Sequence, residues 1–184
     1  MRLTNARLED ATLVDLTIEA GRIAAISPAT GRLGDIDLES RLLLPALTDG
    51  HVHLDKTVLG MPWRPNSGAP TVAGRVENER RLRRSLTPVP QRAAALLHRM
   101  IASGTTRLRT HVDIDDEIGL DNFHALQAVI AQHRAEADIE LVAFPQSGIL
   151  RRPRVADLLD AALAEGADLI GGLDPASYDG DARA

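Results

Sequence analysis

The chain has 184 residues, enough for one sizeable domain or for a domain with a small appendage. The absence of cysteine excludes a disulfide scaffold, a thiolate metal site and a cysteine nucleophile. The formal net charge of −5 gives no indication of a basic surface for nucleic acid or an anionic membrane. Its first ten residues lack the apolar segment of a signal peptide and no run approaches membrane-spanning length, so we expect a soluble cytoplasmic protein with no nucleic-acid or membrane partner.

Short β structure is predicted for the first forty-odd residues. Residues 13–28, LVDLTIEAGRIAAISP, alternate apolar and polar side chains around a hairpin turn at Ala20 and Gly21. Residues 35–45, DIDLESRLLLP, predict another strand, which ends at Pro45. No helical period occurs before about residue 70.

A different pattern begins after Leu47. Residues 51–55, HVHLD, predict a short strand, and a loop rich in Gly, Pro, Asn and Ser follows at Leu59–Pro70. A loop of this length is more typical of a functional segment than of a simple connection. A helix is predicted over Val72–Leu86, and we interpret its basic stretch, RVENERRLRRS, as a solvated helix face rather than a binding patch.

Three more strands alternate with helices along the rest of the chain. The second helix has Thr87 as its predicted N-cap and Pro88 in its first position, and it ends at Gly104. Strands are predicted at TTRLRTHVDID, IELVAFPQSG and ADLIGGLDP, and helices at Asp121–Glu136 and over PRVADLLDAALAEG. Strands about thirty residues apart with a helix between them are typical of right-handed βαβ units and a parallel sheet.

Polar residues lie at the C-terminal end of each of these strands, in HVHLD, RTHVD, FPQSG and GLDP. Several strands that direct polar side chains to one site are typical of the top face of a (β/α) barrel. No glycine-rich phosphate loop follows any strand, which argues against a nucleotide-binding sheet.

The histidine pair in HVHLD is a candidate metal site. In an extended strand, His51 and His53 point to the same side, about 6–7 Å apart. Two imidazoles at this separation can both bind one ion, at about 2.0–2.1 Å from the metal for zinc. Asp55 lies on the same face and can orient a ligand or bind the ion itself. On this motif alone, two histidines that bond backbone carbonyls in a packed strand remain an alternative.

Three segments carry a family resemblance. LLLPALTDGHVHLDKT resembles the entry to the first barrel strand of the amidohydrolase superfamily, and GTTRLRTHVDID and IELVAFPQSGIL resemble its cytosine deaminase branch, which includes aminohydrolases of triazine rings. The resemblance covers nearly the whole chain. It implies an α/β fold, the N-terminal half of a (β/α)8 TIM barrel preceded by part of a small β-sandwich. Residues 1–45 would form the sandwich portion, and residues 46–184 the first four β/α units of an incomplete barrel.

The resemblance also implies a set of site residues. His51 and His53 would bind one divalent metal ion, Zn or Fe. A single ion is expected because the fourth strand, DLIGGLD, has no lysine that could bridge two, and Lys56 follows the first strand instead. Gln146 would hydrogen-bond the ring amide edge of a pyrimidine-like substrate, because its side chain offers a donor and an acceptor. The other predicted substrate-binding residues are His111, Asp113, Asp174 and Trp63.

Alternatives remain open for three of these residues. His111 and Asp113 could support the metal ligands, contact substrate or form a buried polar pair between barrel layers. Trp63 could cover the pocket or simply anchor its loop.

Part of the family's site has no counterpart in this chain. A complete barrel takes about 250 residues, and the family also uses a third histidine, a proton-shuttling acid and a later aspartate. No histidine follows Asp174, so we expect no catalytic residue within the chain, weak metal binding and no deaminase activity by the chain alone. The open sheet edges of a half barrel predict self-association or pairing with a missing C-terminal half.

The resemblance implies a metal-dependent hydrolase of non-peptide C–N bonds. Metal-bound hydroxide would attack a ring carbon of a cytosine-like heterocycle, a small-molecule substrate, and release ammonia or an amine. A hydrolase of another cyclic amide or of a triazine remains an alternative, and so does a truncated, non-catalytic paralogue. Stoichiometric Zn or Fe would favour the enzyme, and absence of metal the paralogue.

Overall fold

Two sheets carry the fold, one in each of the two units into which the chain divides, Met1–Ala46 and Leu47–Ala184. The structure is a computed structural model and describes residues 1–63, 70–152 and 154–183. Half of the predicted loop at Leu59–Pro70, residues 64–69, therefore lies outside the described residues. The division falls one residue after the predicted boundary at residue 45, while the assignment of the two domains stays a prediction.

The first unit is a four-stranded mixed sheet. Its strands are β1 (Arg2–Arg7), β2 (Leu13–Glu19), β3 (Arg22–Pro28) and β4 (Ile36–Asp37), in the order β3-β2-β1-β4. The hairpin between β2 and β3 turns at Ala20 and Gly21, as predicted, and both residues have positive φ angles, 48° and 74°. Two successive positive φ angles twist the turn in the same sense as the strands that it joins.

The strand predicted over residues 35–45 is mostly wrong, because β4 stops at Asp37. Glu39 and Ser40 have positive φ angles of 52° and 61°, which extended strands do not allow. The Asp37 side chain accepts a hydrogen bond from the Glu39 N–H at 2.9 Å, a local turn that competes with strand pairing.

A buried carboxylate ties this sheet to the segment after β3. Asp15, on β2, accepts hydrogen bonds from Arg2 Nη2 at 2.7 Å, from the Asn5 N–H at 3.2 Å and from the Thr30 hydroxyl at 3.0 Å. Although burial raises the pKa of Asp15, these donors hold it at about 2.

The second unit contains a four-stranded parallel sheet. Its strands, in spatial order, are β5 (Leu47–Val52), β6 (Thr105–Asp113), β7 (Asp138–Phe144) and β8 (Leu169–Ile170). Since neighbouring strands in this sheet run the same way, helices form the connections between them. The helices are α1 (Val72–Arg83), α2 (Val89–Ala102), α3 (Asp121–His133), α4 (Arg154–Ala164) and α5 (Pro175–Tyr178).

One apolar core joins the sheet of the second unit to α2, α3 and α4. Each helix contributes residues three or four positions apart, the spacing that places side chains on one face. The sheet contributes alternate residues of β6, since Leu108 and Val112 belong to the core and Thr110 between them is buried on the same side. Fully buried helix residues in this core include Leu97, Phe123, Leu126 and Val155.

Some predicted boundaries are wrong. Pro88, not Thr87, is the N-cap residue of α2, and the Thr87 carbonyl instead accepts a hydrogen bond from Arg92 Nε at 2.6 Å. The fourth strand is reduced to Leu169–Ile170, and Asp174, predicted near the end of that strand, instead caps a short helix, α5, that the sequence did not predict. Among the described residues, no helix combines the length and the apolar character needed to cross a membrane.

Candidate metal and substrate site

The C-terminal ends of β5, β6 and β7 bring the polar residues of the second unit together. His51 lies one residue before the end of β5 and His53 one residue after it, while His111 lies two residues before the end of β6. Parallel pairing fixes this arrangement, because Val52 pairs with Thr110 and His111 pairs with Val142 of β7.

Three imidazole rings form the centre of the site. The ring centroids of His51 and His53 are 5.5 Å apart, those of His51 and His111 are 4.1 Å apart and stacked, and those of His53 and His111 are 5.4 Å apart. One nitrogen from each ring lies within 4.8 Å of the others, so the group can hold a metal ion. The Phe144 ring packs edge-on against His53 and His111, at centroid distances of 5.8 and 5.5 Å.

The donor set suits a cation that binds nitrogen. Neutral imidazoles are good ligands for zinc and iron, and metal binding requires their unprotonated form. Burial, followed by the proximity of His51 and His53, lowers the pKa of His111 to about 4. His111 is therefore neutral at physiological pH.

A buried aspartate lies behind His53. Asp55 is 3% exposed, and its Oδ2 accepts a hydrogen bond from the Asp113 N–H at 3.0 Å. Its other oxygen, Oδ1, lies 3.5 Å from His53 Nδ1. Both of these facing atoms are buried, and neither makes a hydrogen bond within the part of the chain that the structure describes.

Asp113 is also buried and is only 1% exposed. Lys56 Nζ lies 2.9 Å from its Oδ1 and also 3.4 Å from Glu79 of α1. Burial, and then the carboxylate of Asp55, raise the pKa of Asp113, and Lys56 opposes that rise. The predicted role of Asp113 in substrate contact stays a prediction, and its observed partners are protein groups.

A second ion pair fastens α1 to the end of β6. Arg83 Nη1 donates to Asp115 Oδ2 at 2.7 Å, and Nη2 donates to Asp113 Oδ2 at 3.4 Å. Asp115 is fully buried. Burial of the Arg83 guanidinium lowers its pKa, but the Asp115 carboxylate outweighs this effect and raises it.

The interpretation of the basic stretch of α1 as a solvated face is therefore wrong in part. Arg84 is 82% exposed, but the side chains of Arg80 and Arg83 are only 11% and 15% exposed. Their partners belong to the acidic run DIDDE, residues 113–117. The opposite charges of these two stretches are a sequence signal that could have identified the pairing.

The three other predicted substrate residues, Gln146, Asp174 and Trp63, differ in their exposure and in their contacts. Gln146 is half-buried and follows Phe144, whose carbonyl accepts from the Gln146 N–H at 3.0 Å. Asp174 is exposed and accepts from the Ala176 N–H at 3.1 Å. Trp63 is 85% exposed and, with Leu59 of the same loop, lines an open groove of about 690 Å³. Their roles toward a substrate stay predictions.

Comparison with known proteins gives several matches. No protein-family model matches the chain. It is 37% identical over 170 residues to the uncharacterized protein YahJ of Escherichia coli K12, covering 89% of this chain and 37% of the relative. It is 30% identical over 183 residues to N-isopropylammelide isopropyl amidohydrolase of Pseudomonas sp. strain ADP, covering 95% of this chain and 45% of that enzyme.

Two solved structures have the same fold over the length of this chain. N-isopropylammelide isopropylaminohydrolase of Burkholderia multivorans superposes with a TM-score of 0.87 and 41% identity, over 98% of this chain and 46% of that protein. 5-Methylcytosine deaminase of Klebsiella pneumoniae, solved with 5-fluorocytosine, superposes with a TM-score of 0.81 and 32% identity, over 100% of this chain and 45% of that one. The chain thus spans less than half the length of the relatives that it matches.

Proposed function

Because the chain belongs to the amidohydrolase superfamily, in its cytosine deaminase-like branch, we propose that it supplies the N-terminal half of a metal-dependent aminohydrolase. The substrate class is a six-membered nitrogen heterocycle with an amino or alkylamino substituent, whose exocyclic C–N bond is hydrolysed. The observation that carries the proposal is the cluster of His51, His53 and His111 at the C-terminal ends of two parallel strands, where barrel enzymes place their active sites.

The residues present fit a divalent cation. Three imidazoles converge, and His53 has a buried nitrogen without a hydrogen-bond partner among the described residues, so one of its two nitrogens can face a cation and the other Asp55. A zinc or iron ion held there would supply a Lewis acid that activates water for attack on the ring. His51 and His53 hold the ion in this proposal, as the sequence predicted.

The remaining roles divide between this chain and the rest of the enzyme. Gln146, which follows Phe144 at the edge of the cluster, binds the amide edge of the ring. His111 lies where it can act as a third ligand or contact the substrate. The group that moves the proton to the departing amine, and the further ligands, come from the part of the enzyme that this chain lacks. Its proposed partners are therefore a small heterocycle and a C-terminal half.

Relatives that act on two kinds of ring support this substrate class. Two of them are named for N-isopropylammelide and a third for 5-methylcytosine. The higher identity, 41% against 32%, favours an alkylamino-substituted ring over cytosine as the first compound to assay.

The test joins residues 1–184 to the C-terminal part of the Burkholderia enzyme and measures ammonia or isopropylamine released from cytosine and N-isopropylammelide. We expect the chimaera to bind one zinc or iron ion and to release ammonia from cytosine or isopropylamine from N-isopropylammelide. We expect the chain alone to bind metal weakly and to release little of either product. The matched variant, His53→Ala in the chimaera, should lose both metal and activity. A folded, metal-loaded chimaera that releases no amine from either compound would contradict the proposal.

A further inference from the structure

Two buried polar atoms of the site face each other without a hydrogen bond. His53 Nδ1 and Asp55 Oδ1 are 3.5 Å apart, and within the described residues neither has another hydrogen-bond partner. Leaving two such atoms unsatisfied in a protein interior is unfavourable. A small approach, to about 2.9 Å, would convert this contact into a charge-assisted hydrogen bond that satisfies both atoms.

Asp55 is fixed in place from its other side. Its Oδ2 accepts from the backbone N–H of Asp113 at 3.0 Å, which ties the carboxylate to the end of β6. Asp113 is in turn held by Lys56 at 2.9 Å. The position of Asp55 Oδ1 beside His53 is therefore fixed by a hydrogen bond to the end of a strand, β6, and not by a flexible loop.

We propose that Asp55 is a positioning residue, which accepts a hydrogen bond from His53 Nδ1–H and so fixes the tautomer whose Nε2 lone pair faces the histidine cluster. The tautomer is a property of the metal-free chain. Its expected effect, tighter cation binding, rests on the proposed function. A ligating histidine whose other nitrogen is bonded to a carboxylate is held in the correct orientation and made more basic.

The same atoms argue against Asp55 as a direct ligand. His53, Asp55 and Asp113 also lie close enough to hold an ion. However, the ammonium of Lys56 already lies against Asp113, and the Asp113 N–H already occupies one oxygen of Asp55. The carboxylates of that group therefore already bind protein groups.

Asp55→Asn gives a specific outcome because the orientation of the new amide is set by the backbone. The Asp113 N–H needs an acceptor, so the amide oxygen takes the position of Oδ2 and the NH2 group faces His53. The NH2 group donates to Nδ1, and the ring proton then moves to Nε2, where it blocks a cation. The substitution leaves the side-chain volume nearly unchanged and removes one ionisable group.

The experiment measures the tautomer of His53 in the metal-free, full 184-residue chain by long-range 1H–15N correlation NMR at about pH 8, where histidines are neutral. Zinc affinity is measured in parallel by isothermal titration calorimetry. The matched control is Asp168→Asn, since Asp168 Oδ2 likewise accepts a strand N–H, that of Leu141, at 2.7 Å.

We expect a proton on Nδ1 of His53 in the wild type and in D168N, and on Nε2 in D55N. Zinc should bind D55N about 10- to 100-fold more weakly than the other two proteins. A wild-type His53 with its proton on Nε2 would overturn the inference, and this measurement stands even if D55N does not fold. An unchanged tautomer in a folded D55N would overturn it too. If the tautomers are as expected but none of the three chains binds zinc, the inference about the tautomer holds, and the metal site of the proposed function fails only if the chimaera binds no metal either.

Discussion

Asp15 and Asp113 are both buried aspartates, but their neighbours shift their pKa values in opposite directions. Asp15 receives hydrogen bonds from a guanidinium, a hydroxyl and backbone N–H groups, which stabilise its charged form. Asp113 is buried beside a second carboxylate, so its pKa is raised although Lys56 is close. At this scale the donor set, rather than burial itself, determines which carboxylate stays charged.

Asp15→Asn should destabilise the first unit in a pH-dependent manner. The pKa of Asp15, about 2 in the folded chain, lies below the value near 3.9 expected in the unfolded chain. The stabilisation by its charge is therefore complete above about pH 4 and is lost as the pH falls through about 2. Amide hydrogen exchange of Val14 and Leu16 reports this unit, and the difference between wild type and D15N should shrink over that range.

The exposed Glu9→Gln serves as the control for Asp15→Asn and should change these exchange rates little. A difference between wild type and D15N that stays constant from about pH 7 to pH 2 would show that the charge of Asp15 does not stabilise the sheet.

At the scale of elements, α1 is held differently from α2, α3 and α4. Those three helices bury apolar stripes against the sheet, whereas Val76 is the single buried residue of α1 in the described part of the chain. The attachment of α1 comes from Arg80 and Arg83, which pair with the acidic residues after β6. A helix held by ion pairs can separate from the sheet while the apolar core stays intact.

Arg83→Met should release α1 without unfolding the second unit. Removing one partner of a buried ion pair typically costs about 3–5 kcal/mol. We expect a smaller loss, roughly 2 kcal/mol, because Asp115 keeps hydrogen bonds from the Glu117 and Ile118 N–H groups. Hydrogen exchange within Val72–Arg83 should accelerate, while exchange in β6 stays unchanged.

The matched control for Arg83→Met is Arg81→Met, on an exposed residue of the same helix. Equal acceleration of exchange by both variants would mean that α1 is loosened by the loss of surface charge in general and not by the loss of this ion pair.

At the scale of the whole molecule, the predicted fold class is confirmed. A mixed sheet precedes a parallel four-stranded sheet with helices, and the chain superposes on less than half of two amidohydrolase-type enzymes. The parallel sheet has two edge strands, β5 and β8, and Leu47, Leu169 and Ile170 on them are 54%, 39% and 44% exposed. Unpaired edges with exposed apolar residues favour pairing with another chain.

Ile170→Lys should reduce self-association of the 184-residue chain. We expect the wild type to show a concentration-dependent sedimentation coefficient at roughly 10–100 μM, the range in which exposed edges associate. A lysine on β8 places a charge at the edge and should shift the species towards monomer. The control, Val72→Lys, removes an apolar residue that is 62% exposed on α1. Monomeric wild type, or an equal effect of both variants, would contradict a role of the β8 edge.

The sequence by itself determined most of the helices and strands of the second unit and their order. Period-2 alternation in β6 and the 3.6-residue spacing of apolar residues in α2, α3 and α4 are local patterns, and each fixes one buried face. The positions of His51, His53 and His111 at strand ends followed from the same patterns. Local turn chemistry was harder to predict. The Asp37 side chain bonds the Glu39 N–H where β4 ends, and the Asp174 side chain caps a helix within the segment predicted as the fourth strand.

Only the tertiary structure decided which charges meet. Asp55 and Asp113 are 58 positions apart, and Arg83 and Asp113 are 30 apart, so no local period relates them. The parallel register of β5 and β6 brings the first pair together, and the packing of α1 brings the second. An isolated sequence shows a basic stretch and an acidic stretch, but their burial depends on a contact that forms only once the sheet is assembled. For the same reason, HVHLD indicated two metal ligands, while the structure added His111 to the cluster and placed Asp55 behind His53.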